Sequence, residues 1–319
     1  MTDWTTTAFL FPGQGSQEVG MGADLAAAYP AAQAIFEQAD DLLGFSLSGL
    51  CWQGPADALT DTFNTQPALY ITSIATLKAL EAEVGSIQPA YVAGHSLGEL
   101  TALTAAGALS FEDGLRLVRE RGRLMKQTGE QNPGAMAAIL GLSVEAIQSV
   151  CELTSSETGK TLVLANDNCP GQIVISGDVE AIERGMTLAQ EAGAKRVVKL
   201  PVSIASHSPL MTPIVDEFQA ALAQTTFTPP TTPIIGNVTA APLPADPDAI
   251  RRELSDQLTS SVRWTESMQI LIDNGITSFV EIGTNEVLSG LMRRINRKST
   301  RVTLNNAQKL GEFTQSLTI

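Results

Sequence analysis

The stretch Ala90-Tyr91-Val92-Ala93-Gly94-His95-Ser96-Leu97-Gly98-Glu99 carries the strongest fold signal in the chain. A short apolar run leads into a serine with a glycine two residues to either side, and the alanine-rich segment Glu99 to Ala106 follows at once. This order matches the strand, sharp turn and helix of a nucleophile elbow, with the flanking glycines letting the backbone pass close beneath the serine. The turn predicts Ser96 Oγ exposed at a helix start, where N–H groups and the positive dipole end favour a developing oxyanion. The Leu97 N–H is the expected donor.

Working outward, the apolar runs Ala8 to Phe11, Ile234 to Gly236 and Phe279 to Ile282 also alternate with long helical stretches. The pattern predicts an α/β fold with a parallel sheet covered by helices. A helix is expected over Tyr70 to Val84, starting after Gln66-Pro67 because proline suits a first turn. Between Asn132-Pro133-Gly134 and Leu200-Pro201 the order changes. It reads strand (Ala135 to Leu140), helix (Val144 to Leu153), strand (Leu162 to Ala165), strand (Ile173 to Ser176), helix (Val179 to Ala192), strand (Arg196 to Leu200). That βαββαβ order is the split arrangement of a ferredoxin-like unit. It is read as a small subdomain, 132–199, inserted into a larger α/β body formed by 1–131 and 200–319, with the substrate cleft between them. One continuous sheet is the alternative that periodicity leaves open.

The chain has 319 residues, 44% hydrophobic and 17% charged, without a charge block or repeat, as expected of a compact globular protein. No apolar run approaches the roughly 20 residues of a membrane-spanning helix, and Met1 to Thr7 lacks a basic region followed by an apolar one, so a cytoplasmic protein is expected. Cys51, Cys151 and Cys169 have no metal-ligand spacing and read as reduced, structural thiols. A net charge of -14 argues against nonspecific nucleic-acid binding. Two basic clusters interrupt that acidity: Lys195, Arg196 and Lys199, and Arg293, Arg294, Arg297, Lys298 and Arg301. Solvated surfaces would explain them without a partner.

A serine hydroxyl needs a base, and the chain offers only two histidines. His95 adjoins Ser96, and neighbours across a tight turn point in different directions. His207 remains, just before Ser208-Pro209, which reads as an N-cap and first helical position. No acidic residue is marked by its context to complete a triad, so a backbone or amide carbonyl is the expected orienting group for a Ser–His dyad.

Phe111 to Lys126 reads as a helix in which Arg121 falls within the apolar stripe of Leu117, Val118, Leu124 and Met125. An inward guanidinium stays charged and needs an anion. Two readings stand: a structural ion pair, or a site for the free carboxylate of a dicarboxylic half-thioester. The early loop Phe11-Pro12-Gly13-Gln14-Gly15-Ser16-Gln17 follows the first strand but has neither the third glycine of a dinucleotide site nor the lysine of a P-loop. Its Gln14 N–H could be a second oxyanion donor; a plain turn is the alternative.

Together these residues resemble the malonyl-CoA:acyl carrier protein transacylase family, over nearly the whole chain. The likeness rests on Phe11 to Gln17, Gln66-Pro67-Ala68, Gly94 to Glu99, Arg121-Gly122-Arg123, Pro133-Gly134-Ala135-Met136, Asn166 to Gly171, Ser206-His207-Ser208, and Gln257 with Trp264. It implies an α/β-hydrolase-like body with a ferredoxin-like small subdomain, acting as a monomer in fatty acid biosynthesis without a cofactor. Ser96 would be the acylated nucleophile, His207 the base, and Arg121 the partner of the malonyl carboxylate, with Gln66 and His95 in the substrate site. The amides of Gln14 and Leu97 would form the oxyanion hole, and the Gln257 carbonyl would orient His207. The implied reaction is ping-pong, with malonyl-CoA as donor and acyl carrier protein as acceptor. Because that carrier is acidic in the family, Arg293, Arg294, Lys195 and Arg196 become the expected docking patch. At Gly283-Thr284-Asn285-Glu286 the chain departs from the family's glycine-proline-glycine turn. Ile204-Ala205-Ser206-His207 also resembles the selector motif of methylmalonyl-specific polyketide acyltransferases.

Two rival readings are a serine hydrolase, which predicts an acid between nucleophile and histidine, and a catalytically silent carrier-binding module. The hydrolase does not explain Arg121. An acylation assay separates the module from an enzyme.

Overall fold

The computed structural model describes residues 3–318. Its strands are β1 (Thr7–Phe11), β2 (Tyr91–Gly94), β3 (Gly134–Leu140), β4 (Leu162–Cys169), β5 (Gln172–Asp178), β6 (Arg196–Lys199), β7 (Ile234–Ile235), β8 (Ser278–Ile282) and β9 (Thr300–Leu304). They form two separate sheets, so the continuous-sheet alternative falls. The larger is parallel, in the order β7-β2-β1-β8-β9. Its central strand β1 is buried at every position, as a strand covered on both faces should be. The smaller sheet is antiparallel, in the order β4-β5-β3-β6, the ferredoxin-like order expected from βαββαβ.

The small sheet shows how period-two alternation makes a cleft wall. Ala135, Ala137 and Ile139 of β3 pack against the helices Val144–Thr158 and Val179–Glu191. The intervening Met136 and Ala138 point the other way and, with Val174, Leu200 and Val202, line the cavity beside Ser96. β4 runs past its expected end at Ala165 and carries register shifts after Leu164 and Asp167. Such bulges re-aim side chains, and Asn166 and Asn168 both line the cavity.

Two expectations need correction. The helix expected from Tyr70 begins at Thr62 and runs to Val84, with Pro67 inside it. Proline leaves the Phe63 carbonyl without its helical donor; the Arg119 guanidinium supplies one at 3.0 Å. The parallel edge strand β9 was not expected, because Thr300-Arg301-Val302-Thr303-Leu304 mixes polar and apolar residues and is only partly covered. The cysteines are free and buried, and burial pushes the Cys51 and Cys151 thiols up to about 12. Among the described residues no helix is long and apolar enough to cross a membrane.

Candidate active site

β1 and β2 run side by side with Phe11 opposite Gly94, so the loop after β1 and the elbow after β2 leave the sheet together. The His95 N–H donates to the Phe11 carbonyl at 3.0 Å. Glycine is required at this crossing: a Cβ on Gly94 would lie 1.8 Å from the Gly98 carbonyl oxygen, and one on Gly98 would lie 2.1 Å from that of Phe11. Ser96 itself has φ 52, a left-handed conformation that costs a non-glycine residue about 1–3 kcal/mol. The surroundings hold it there. Asn237, fully buried after β7, accepts from the Ser96 N–H and donates to the Gly94 carbonyl, both at 2.7 Å.

Ser96 Oγ lies 2.8 Å from His207 Nε2, and His207 Nδ1 lies 2.8 Å from the Gln257 carbonyl. A carbonyl only accepts, so Nδ1 carries the proton and Nε2 is free to take that of the serine. Gln257 ends the helix Pro247–Gln257, where a carbonyl has no helical donor of its own. His207, at φ 59, precedes the Ser208 cap of a short 3-10 helix, Pro209–Ile214. Burial, and then the Arg121 cation, lower the His207 pKa to about 3, so the ring is neutral.

Arg121 lies on the helix Phe111–Gln131 and is almost fully buried. Its Nη2 donates to Ser96 Oγ at 3.2 Å and to Gln257 Oε1 at 2.9 Å, and its Nη1 to Gln66 Oε1 at 2.8 Å. These partners are neutral, its Nε has none, and among the described residues no carboxylate makes an ion pair with it. The structural ion pair is therefore not what Arg121 makes. Burial lowers its pKa to about 10, and Glu99 opposes that shift from across the Gln257 amide.

The cavity facing these groups is about 270 Å³ and is lined by Gln14, His95, Ser96, Leu97, Arg121 and His207 among others. Among the described residues, the Gln14 and Leu97 main-chain N–H groups donate to no other part of the chain. Gln66 is absent from the lining and reaches the site through two residues that line it, accepting from Arg121 and donating to Met125 Sδ at 3.2 Å. His95 turns from the serine toward the small sheet, with Nε2 2.8 Å from Asn168 Oδ1 and its ring 5.3 Å from that of Trp264. The exposed Arg293, Arg294, Lys195 and Arg196 lie outside the cavity. The two clusters nonetheless converge. Arg294 donates to the Pro170 carbonyl and to Gln172, a cavity residue, at 2.9 Å each, and the adjoining Gly171 carbonyl accepts from Gly141, against which the Lys195 stem packs.

Sequence reasoning missed Asn237 and gave no role to Glu99, which is fully buried under the elbow. An acid within an otherwise small and apolar helix was the available signal for Glu99. A neutral amide after a two-residue strand gives none.

The acyl transferase domain family matches residues 8–309. A malonyl CoA-acyl carrier protein transacylase of Bacillus subtilis (strain 168) is 45% identical over 310 residues, which span 97% of this chain and 96% of that protein. The chain belongs to the malonyl CoA-acyl carrier protein transacylase family. That membership makes it an acyltransferase. Two solved structures extend the transacylase likeness to the whole fold. One, a malonyl-CoA:acyl carrier protein transacylase from Xanthomonas oryzae pv. oryzae, superposes with a TM-score of 0.94 at 40% identity over 99% of both chains. The other is a type II polyketide acyl-carrier protein in complex with its malonyl-transacylase, with a TM-score of 0.93 and 39% identity over 97% of this chain and 99% of that one.

Proposed function

We propose that this acyltransferase moves a malonyl group from malonyl-CoA to the phosphopantetheine thiol of an acyl carrier protein through an ester on Ser96, in the cytoplasm and in fatty acid biosynthesis. The observation that carries this reading is Arg121: a buried cation beside Ser96, held by neutral groups and, among the described residues, bonded to no carboxylate. A thioester with a free carboxylate supplies the missing anion while placing its carbonyl at Ser96.

His207 Nε2 takes the Ser96 proton as Oγ attacks the thioester carbonyl, and the oxyanion forms toward the Gln14 and Leu97 amides. The carbon–sulfur bond then breaks, and His207 returns the proton to the departing CoA sulfur. In the second half the carrier thiol gives its proton to His207, its sulfur attacks the ester, and Ser96 Oγ leaves with that proton. The transfer balances without a further cofactor. The basic edge made by Arg293, Arg294, Lys195 and Arg196 is the docking face for an acidic carrier, and one copy of the chain suffices for every group named. A hydrolase would place a carboxylate on the histidine; here a main-chain carbonyl holds it.

The test is intact-protein mass after mixing with malonyl-CoA, methylmalonyl-CoA or acetyl-CoA singly. A malonyl adduct is expected that Ser96→Ala abolishes, with Arg121→Ala shifting preference toward acetyl. No adduct from any donor would sink the reading.

A further inference from the structure

Glu99 is fully buried beneath the elbow, and no step above uses it. Its two oxygens face two different donors. Oε1 accepts from the Asn237 main-chain N–H at 3.3 Å, and Oε2 accepts from Gln257 Nε2. Each donor belongs to a residue that holds reacting groups. Asn237 clamps the elbow at Gly94 and Ser96. Gln257 holds His207 with its main-chain carbonyl, while its side chain donates to the Ser96 carbonyl at 3.0 Å and accepts from Arg121.

We propose that Glu99 is a positioning residue that fixes which way round the Gln257 carboxamide sits, and through it the aim of Arg121 at the acyl carboxylate. The inference rests on the malonyl-transfer reading and deepens it. The two ends of a carboxamide are nearly equal in shape, so bonding partners must choose between them. Ionised, Glu99 only accepts, and both of its oxygens already face N–H donors. It pins Nε2 to its own side and leaves Oε1 for the guanidinium. With the amide reversed, Nε2 would face Arg121 Nη2, donor against donor, and Oε1 would face Glu99, acceptor against acceptor. Burial, and then neighbouring Glu253, push the Glu99 carboxyl well above its ordinary value; the bonds from Gln257 and Asn237, and the Arg121 charge, oppose that push.

A glutamine at 99 could offer one acceptor where two donors wait, and reversing Gln257 would relieve the mismatch at the expense of Arg121 and of the bond to the Ser96 carbonyl. The experiment is steady-state transfer with malonyl-CoA and with acetyl-CoA, on the wild type, Glu99→Gln, Gln257→Met and the double variant, with thermal melts as the fold check. Expected is a malonyl-CoA KM raised about tenfold by Glu99→Gln, with kcat changed by less than about threefold and acetyl-CoA constants unmoved. Gln257→Met keeps the main-chain carbonyl but also loses the bond to the Ser96 carbonyl, so it should raise the malonyl-CoA KM at least as far and lower kcat with both donors, and the double variant should be no worse than Gln257→Met alone. Loss of kcat for both donors together in Glu99→Gln, additive effects, or wild-type malonyl KM in either single variant would overturn the proposal. If Glu99→Gln does not fold, Gln257→Met decides, since a wild-type malonyl KM there refutes it. A wild type that loads no malonyl defeats the function reading itself and the proposal with it, a result distinct from a working wild type with indifferent variants.

Discussion

A serine hydroxyl gives up its proton only to a neutral imidazole, and burial beside Arg121 keeps His207 in that state. With the pKa of the ring near 3, Ser96 loading by malonyl-CoA is expected to be flat from about pH 5 to 8. A rising limb centred near the ordinary histidine value, in stopped-flow loading rates, would contradict the burial of His207. Asn237→Ala removes both bonds of the elbow clamp and should cost about 1–3 kcal/mol, read as a lower denaturant midpoint at unchanged slope. An unchanged midpoint would show that the left-handed Ser96 is held by other contacts. Ser96 and His207 were legible because a patterned turn met a chain with two histidines, and Arg121 because helical period exposed it on an apolar stripe. Asn237 was not legible. Its partners lie 141 and 143 positions away, so no local pattern marks it.

The element boundaries that were misjudged are those settled by contacts distant in sequence. Proline at 67 locally reads as a helix start, yet a guanidinium from the helix Phe111–Gln131 replaces the donor that proline lacks and lets the helix begin at Thr62. Arg119→Ala is therefore expected to cost about 1–2 kcal/mol, and Pro67→Ala in that background to recover part of the loss by restoring an N–H. Chemical denaturation of the four proteins checks this, and an additive double variant would refute the coupling. The β3 to β6 order was legible because strand and helix periods alternate cleanly there. The edge strand β9 lacks a continuous apolar run because only part of its surface is covered. Glu281 is a further long-range device: buried at the end of β8, it accepts from the Leu288 and Ser289 N–H groups and so fixes the start of the helix that carries Arg293.

For the whole molecule, the buried ionisable groups pull pH-dependent stability in opposite directions. Unfolded His207 takes up a proton below its ordinary 6.5, whereas the folded ring does so only near 3. Unfolding thus binds a proton in that window, and the stability present above it is lost as pH falls through it. The raised carboxyls of Glu99 and Glu253 act conversely: their contribution is full below the ordinary 4.5 and is lost as pH rises through their folded values. Melting temperatures of wild type and His207→Leu between about pH 3 and 7 should show a shallower acid slope for the variant; parallel curves would contradict this. At the proposed docking edge, Arg293→Glu should weaken transfer to carrier protein while sparing Ser96 loading. Arg294→Glu should disturb both, because Arg294 also holds Gln172 at the cavity, and equal losses from Arg293→Glu would refute the placement. Ser96 and Arg121 come from separate elements, a strand-to-helix elbow and the helix Phe111–Gln131, which meet directly at 3.2 Å and again through the Gln257 side chain. On the proposed function, what the protein does to a thioester and which thioester it chooses can consequently drift apart under selection, so that a lineage can acquire a new building block without reinventing its chemistry.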